Sequence, residues 1–202
     1  VTDKKMQDWR NQLHDKDHKK RIDAMLNLDE IKQLTDDDRI LFIKMLNDES
    51  ESPEIRRVIL SILGSDLQIS QDVQGHLVKY LKHTNNDLAL AAAKALRFKE
   101  GLPAKNILGI LAQKDENLRQ QLGIMVLSSL DAPETFQVLV KSIIMTDPKN
   151  IADKKRRVDE LRIWYLRLGD NRDEVVALAT SLVSNDNRQM VIKYLRDISM
   201  IN

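Results

Sequence analysis

Two histidines at positions i and i+4 form the most suggestive catalytic pattern in the chain. His14 and His18 enclose Asp15, Lys16 and Asp17. On a helix this spacing places both imidazoles on one face, as in the His-Glu-x-x-His helix of zinc proteases. Here an aspartate of shorter reach replaces the glutamate base, the segment is charged throughout, and no third ligand is identifiable. We therefore favour a solvated loop between two helices and predict no metal site.

Other catalytic motifs are missing from the sequence. The six glycines are scattered, so no glycine-rich loop can cradle a phosphate, and no Gly-x-Ser-x-Gly elbow occurs. All four histidines precede residue 84, which leaves little from which to build a serine–histidine pair. The chain has no cysteine, which excludes thiolate zinc sites, iron–sulfur ligation and cysteine nucleophiles. The sequence thus predicts no catalytic residue and no cofactor.

An arginine-rich segment in the last quarter is the second candidate for chemistry. Residues 151–202 carry 10 basic and 8 acidic residues, whereas residues 1–50 carry 10 and 12, and seven of the fourteen arginines lie in 151–202. Arg156, Arg157 and Arg162 fall in one helical stretch with the aromatic pair Trp164 and Tyr165. A basic helix of this kind could bind phosphates or an acidic protein segment through charge-assisted hydrogen bonds.

A purely structural interpretation of the same segment is favoured over binding. In it the arginines are solvated and Trp164 packs against a neighbouring helical hairpin, while the core-facing residues are Val158, Leu161, Tyr165 and Leu168. Charged helix faces are common, and Asp159 and Glu160 weaken the positive field. The segment nevertheless remains the first place to look for a partner site.

The composition favours a folded helical protein and argues against several classes. Among 202 residues, 32 Lys and Arg nearly balance 31 Asp and Glu, which argues against a strongly basic nucleic-acid-binding protein and against an acidic disordered tail. No stretch approaches the ~20 apolar residues that cross a bilayer, so no membrane insertion is predicted. A chain without cysteine is compatible with the cytosol or the periplasm.

Apolar residues recur at spacings of three and four along almost the whole chain, which predicts an all-α fold. Thr35 and Asp38 have the spacing of a capping box, which predicts a helix start at the aspartate run. Pro53 stands where a first helical turn tolerates proline, and Gly64 is expected to end that helix. In all, the sequence predicts roughly twelve helices of ordinary length, over residues 4–13, 18–28, 36–46, 53–63, 70–83, 87–99, 103–113, 116–130, 133–145, 153–168, 172–184 and 187–199.

The helices repeat with a period of about 34 residues. An offset of 33 residues places the apolar series Ile55, Ile59, Ile62 and Leu63 on Leu88, Ala92, Ala95 and Leu96. A further offset of 30 residues brings Leu118, Leu122, Met125 and Val126 to the same places. This period, together with helix pairing, predicts an α-solenoid of about six antiparallel helix pairs.

Two segments resemble the second helix of a HEAT repeat, namely 53–57 and 90–96. They are similar to the short bacterial type, in which an acidic turn, a proline, Val-Arg and an alanine-rich stretch recur. The resemblance is best over 36–130, and 1–35 and 146–202 are more divergent. Tetratricopeptide and armadillo arrays have a similar period, but the Trp-Leu-Gly-Tyr pattern of the former is missing. We therefore expect one HEAT-like solenoid domain over 1–202.

The resemblance implies a right-handed array whose second helices line a concave, partner-binding face. The favoured hypothesis is a non-enzymatic scaffold or adaptor that binds a protein or peptide there, and the candidate residues are Arg57, Lys94, Arg156, Arg157, Arg162, Trp164 and Lys193. The alternative is a nucleic-acid-associated protein, because some HEAT-like folds resemble DNA-repair glycosylases; Trp164 and the C-terminal arginines are its only support. A third hypothesis, a bilin-lyase-like enzyme, is supported by the repeat alone.

Overall fold

The computed structural model describes residues 2–31, 34–66, 69–130, 135, 139 and 149–167, without the side chains of 116, 120 and 124. Over these residues the chain is all-α and contains no strand, which confirms the all-α part of the predicted fold, while the solenoid of about six helix pairs stays a prediction. The helices are α1 (Asp3–Gln12), α2 (His18–Glu30), α3 (Asp36–Asn47), α4 (Pro53–Ser65), α5 (Gln71–Tyr80), α6 (Asn86–Leu96), α7 (Ala104–Ala112), α8 (Glu116–Val126) with a 3₁₀ turn at Leu127–Ser129, and α9 (Ile151–Arg167). The helices predicted at 133–145, 172–184 and 187–199 lie outside the described residues.

Helix boundaries follow from side chains that cap free backbone amides. Thr35 accepts from the amide of Asp38 while the Asp38 carboxylate accepts from the amide of Thr35, which confirms the predicted capping box. The even-numbered helices α2, α4, α6 and α8 begin after the capping residues Asp17, Ser52, Asn85 and Asp115, each of which accepts from amides of the first turn. These caps are 35, 33 and 30 residues apart, so the period of the sequence is also the period of the helix starts.

The chain divides into two compact units, Val1–Arg97 and Phe98–Asn202. In the first unit α1 packs on α2, α3 on α4 and α5 on α6, and α4 also contacts both α2 and α6. In the second unit α7 packs on α8, and the 3₁₀ turn contacts α8 and α9. The expectation of one domain over 1–202 stays a prediction. No helix among the described residues is long and apolar enough to cross a membrane.

Apolar stripes at the predicted spacing form the core of the first unit. Ile55, Ile59, Ile62 and Leu63 of α4 are buried, whereas Val58 is half-buried. The buried stripe of α6 is alanine-rich and allows α4 to approach closely. A Cβ atom added at Gly64 would lie 2.7 Å from the Cα of Ala95, so glycine is required by this helix contact. Gly64 does not end α4 as expected, because the helix continues to Ser65.

Ion pairs join neighbouring hairpins of the first unit. The Arg10 guanidinium on α1 binds both carboxylate oxygens of Asp38 on α3, with Nε–Oδ1 and Nη2–Oδ2 distances of 3.0 and 2.9 Å. Burial by itself raises the pKa of Asp38, but hydrogen bonds from Arg10 and Thr35 outweigh burial and lower it below its ordinary value. The carboxylate therefore serves both as a helix cap and as an interhelix ion-pair partner.

Candidate partner-binding groove

A groove of about 640 Å³ lies between α4 and α6 on the side where Leu26 of α2 is exposed. From α4 the walls are formed by Arg57, Val58, Ser61 and Gly64, and from α6 by Asp87, Leu90, Ala91, Lys94 and Ala95. On each helix these residues are three or four positions apart, so they share one helical face. That face borders the buried stripe that holds the two helices together, and Gly64 and Ala95 lie where the two meet.

The groove is built from equivalent positions of successive hairpins. Leu26, Ser61 and Lys94 each lie nine residues after the N-cap of their helix. In the same way, Arg57 of α4 and Leu90 of α6 each lie five residues after their caps. Because α2, α4 and α6 pack side by side, the side chains at an equivalent outward-facing position of each helix form a row across the surface. Such a row can contact an extended ligand at several points.

Small and aliphatic side chains form the floor of the groove. Leu26 is 50% exposed, and Val58, Leu90 and Ala91 are half-buried at the surface between the two helices. The absence of a side chain at Gly64 lets α4 and α6 close together beneath this floor. The floor thus offers exposed carbon atoms that a partner could remove from water, and burying them would favour binding.

Three charged residues line the groove. Arg57 and Lys94 are exposed cations, and Asp87 is an exposed acid in the first turn of α6. None of the three forms an ion pair within the part of the chain that the structure describes. Two cations against one carboxylate give the groove a net positive charge. An anionic ligand would therefore be attracted rather than repelled.

The adjacent arginines of α4 have different surroundings. Arg56 is buried, and its guanidinium donates to the carbonyl oxygen of Asp48 in the loop before α4. Arg119 occupies the same position of α8 and donates to the carbonyl oxygens of Leu111 and Lys114, at 3.2 and 2.9 Å. Arg56 and Arg119 therefore hold the turn of their own hairpin, whereas Arg57 is exposed and lines the groove.

Trp164, named as a candidate contact residue of α9, is buried, in line with the structural interpretation that was favoured for this segment. Trp164 is 0% exposed, and its indole Nε1 donates to the carbonyl oxygen of Leu130 at 3.0 Å. A side chain with this burial has no surface to present to a partner, so Trp164 is corrected from a binding residue to a core residue. It packs in the second unit, where α9 contacts the 3₁₀ turn.

The arginines of α9 do not form one basic surface. Arg157 is also buried, and Arg156 and Arg157 both bind the carboxylate of Asp153, at 2.6 and 3.1 Å. Burial alone raises the pKa of Asp153, but these two hydrogen bonds lower it overall. Arg157 is therefore withdrawn as a contact residue, and Arg156 forms its ion pair within its own helix. Arg162 is half-buried. Lys193 lies outside the described residues.

Arg57 and Lys94, two of the residues predicted from the sequence, line the groove, whereas the apolar part of the groove was not predicted. Leu26, Leu90 and Asp87 were not singled out, because each is ordinary on a helix surface. Aligning the helices on their N-caps could have found Leu26, since that alignment places it level with Lys94. The exposed leucine is unexpected only after the buried stripe of α2 is known.

The paired histidines are placed at the junction of α1 and α2. His14 lies in the connecting turn and is exposed, and His18 is the first residue of α2. Asp17 between them is the cap of α2 and accepts from the amide of Lys19 at 2.9 Å. Within the described ranges, no group of three His, Cys, Asp or Glu residues is arranged to hold a metal ion.

Comparison with known proteins extends to the fold only. No protein-family model matches the chain, and no curated protein matches it. One solved structure that is similar is the crystal structure of an engineered protein from the Northeast Structural Genomics Consortium. It is 15% identical, the match covers 97% of each chain, and the TM-score is 0.50. At this identity the likeness supports a shared fold and carries nothing about a ligand or an activity.

Proposed function

We propose that this chain is a non-enzymatic interaction module of HEAT-like helical hairpins, and that it binds a segment of a partner protein in the groove between α4 and α6. The observation that carries the proposal is the groove itself, which combines exposed aliphatic carbon with two cations that have no ion-pair partner among the described residues. An apolar centre with a charged rim is the usual composition of a protein-binding surface.

The hairpin arrangement of the first unit supports the HEAT-like part of the proposal. Successive hairpins pack through their second helices, and the caps that begin those helices recur at nearly constant spacing. A hairpin of this kind cannot bury both helices alone, so stacking on neighbours supplies its core. The same stacking presents the outward positions of consecutive helices as a continuous surface. Extended surfaces of this type suit chain segments better than small molecules.

Site-specific photocrosslinking in the native source tests the proposal. A photoreactive phenylalanine analogue at Ser61 would stand at the centre of the groove, and the same analogue at Lys79 would stand on the exposed side of α5. We expect a discrete crosslinked protein from position 61, competed away by the unlabelled chain but not by its Arg57→Glu/Lys94→Glu variant. Equal crosslinking from position 79, or equal competition by the variant, would refute a binding site in the groove.

A further inference from the structure

We propose that the groove selects an acidic peptide segment, in which two carboxylates flank an aliphatic side chain. This inference rests on the proposed function, because it names the chemistry of the ligand that the groove would hold. It is carried by three observations on the groove: the positions of its cations, the nature of its floor, and the placement of its one carboxylate.

The two cations lie at different levels of the groove. The contact between Gly64 and Ala95 aligns the C-terminal parts of α4 and α6. Arg57 lies seven residues before Gly64, and Lys94 lies one residue before Ala95. At 1.5 Å of rise per residue, the two cations are separated by about 9 Å along the helices. A peptide in the polyproline II conformation rises about 3.1 Å per residue and returns to the same side every third residue, so carboxylates at i and i+3 would meet both cations.

The floor between the cations is suited to an aliphatic side chain of the ligand. Val58, Leu90 and Ala91 lie between the levels of Arg57 and Lys94, and Leu26 extends the apolar surface toward α2. None of the lining residues is aromatic. A leucine or valine of the ligand would bury its carbon here, whereas a base or sugar would find no ring to stack on.

A nucleic acid fits this groove less well than an acidic peptide. Phosphodiester binding draws on many cations, commonly about 6 to 10 contacts, and the groove supplies two. Asp87 lies beside them at the start of α6 and would repel a continuous phosphate chain. A peptide brings a single carboxylate to the level of Arg57 and Asp87 and neutral residues on either side of it, whereas a nucleic-acid strand carries a charge at every nucleotide.

Short labelled peptides test the inference on the full chain. The probe is a dye-labelled hexapeptide Gly-Glu-Leu-Val-Glu-Gly, and its matched versions carry Gln or Lys in place of both Glu residues. Binding is followed by fluorescence anisotropy, and by backbone amide shifts of Arg57, Ser61 and Lys94 in nuclear magnetic resonance spectra. We expect the Glu peptide to bind about fivefold more tightly than the Gln peptide and the Lys peptide to bind least, since each exposed charge pair contributes modestly. Oligothymidylate serves as the nucleic-acid probe.

Charge-changing variants assign the binding to the named residues. Arg57→Glu/Lys94→Glu should weaken the Glu peptide roughly tenfold and reverse the preference toward the Lys peptide. Lys79→Glu is the matched control, because Lys79 is also an exposed lysine in the last turn of its helix, but in α5. Asp87→Asn should strengthen the Glu peptide about twofold, and Asp72→Asn, an exposed first-turn acid of α5, should leave it unchanged.

The outcomes separate the inference from the proposed function. If the Gln peptide binds in the groove as tightly as the Glu peptide, the acidic preference is wrong and the groove remains a binding site. If no peptide shifts the groove amides, the groove site itself is wrong. Tighter binding of oligothymidylate than of every peptide would overturn the inference in favour of nucleic acid. Arg57→Gln/Lys94→Gln repeats the test if the reversed variant does not fold, and unchanged Glu-peptide affinity in it would also refute the assignment.

Discussion

Alanine in place of Gly64 should destabilise the chain, although alanine is the better helix former. A Cβ at position 64 would stand 2.7 Å from the Cα and 3.0 Å from the Cβ of Ala95. Carbon atoms pack best at about 3.5 to 4.0 Å, so α4 and α6 would have to separate locally by about 1 Å. The obstructing Cα is a backbone atom on a packed helix and cannot rotate away.

The size of the effect follows from two opposing terms. Forcing an extra methyl group into a well-packed contact costs about 1 to 3 kcal/mol. Replacing glycine within a helix returns up to about 1 kcal/mol, and less here because Gly64 is the last residue but one of α4. We expect Gly64→Ala to lower the free energy of unfolding by about 1 to 2 kcal/mol.

The matched control is Gly75→Ala in the middle of α5. A Cβ at that position has no atom within 4 Å, so only the helix-propensity term applies. The same chemical change should therefore raise the free energy of unfolding by about 0.5 to 1 kcal/mol. Urea unfolding followed by far-ultraviolet circular dichroism measures both variants against the parent. A Gly64→Ala variant as stable as the parent would refute the close helix contact, and a destabilised Gly75→Ala variant would refute the propensity argument.

Three further predictions concern charged and aromatic residues of the core. Arg56→Met should lower the free energy of unfolding by about 1 to 3 kcal/mol, because a loop carbonyl loses its donor, while Arg57→Met should change it by less than about 0.5 kcal/mol; parallel urea titrations compare them. The pKa of Asp38 is lowered in the folded state, so this carboxylate stabilises the fold above its unfolded-state pKa and stops doing so as the pH falls through its folded-state pKa. In Asp38→Asn the free energy of unfolding should therefore change less with pH between about pH 5 and 2. The same loss of stability at acid pH in the variant and the parent would contradict this. Trp164→Phe should cost about 1 to 3 kcal/mol because the carbonyl oxygen of Leu130 loses its donor, and a thermal midpoint equal to the parent's would exclude that bond.

Local interactions explain why helix ends were predictable. Thr35 and Asp38 are three residues apart, so their reciprocal cap depends on one turn of backbone and needs no distant partner. The starts of α4 and α8, which were predicted at residues 53 and 116, likewise follow from the caps Ser52 and Asp115 directly before them. Gly64 was predicted to end α4, but the helix continues to Ser65. The close contact with Ala95 explains the glycine at this position.

Side-chain direction within α9 was harder to predict. Of the expected core face, Leu161 is buried as predicted and Leu168 lies outside the described residues, but Val158 and Tyr165 are only half-buried. The other buried residues include Glu160 and Trp164, about one position away. An apolar stripe specifies a helix face only to about the width of one residue, since several rotations bury similar area. The carbonyl of Leu130 favours the rotation that buries the indole, and that acceptor comes from another element.

The all-α class, the spacing of the helix starts and most helix boundaries could be predicted from the residues alone, because these arise from contacts within a turn or from one helical face. Which of two adjacent arginines is structural depends instead on packing between elements. Arg56 points at a loop carbonyl and Arg57 at the groove, although the residue type and local helix are the same. Their roles differ because adjacent helix positions point about 100° apart, so Arg56 faces the loop of its own hairpin while Arg57 lies on the side where α6 packs beside α4.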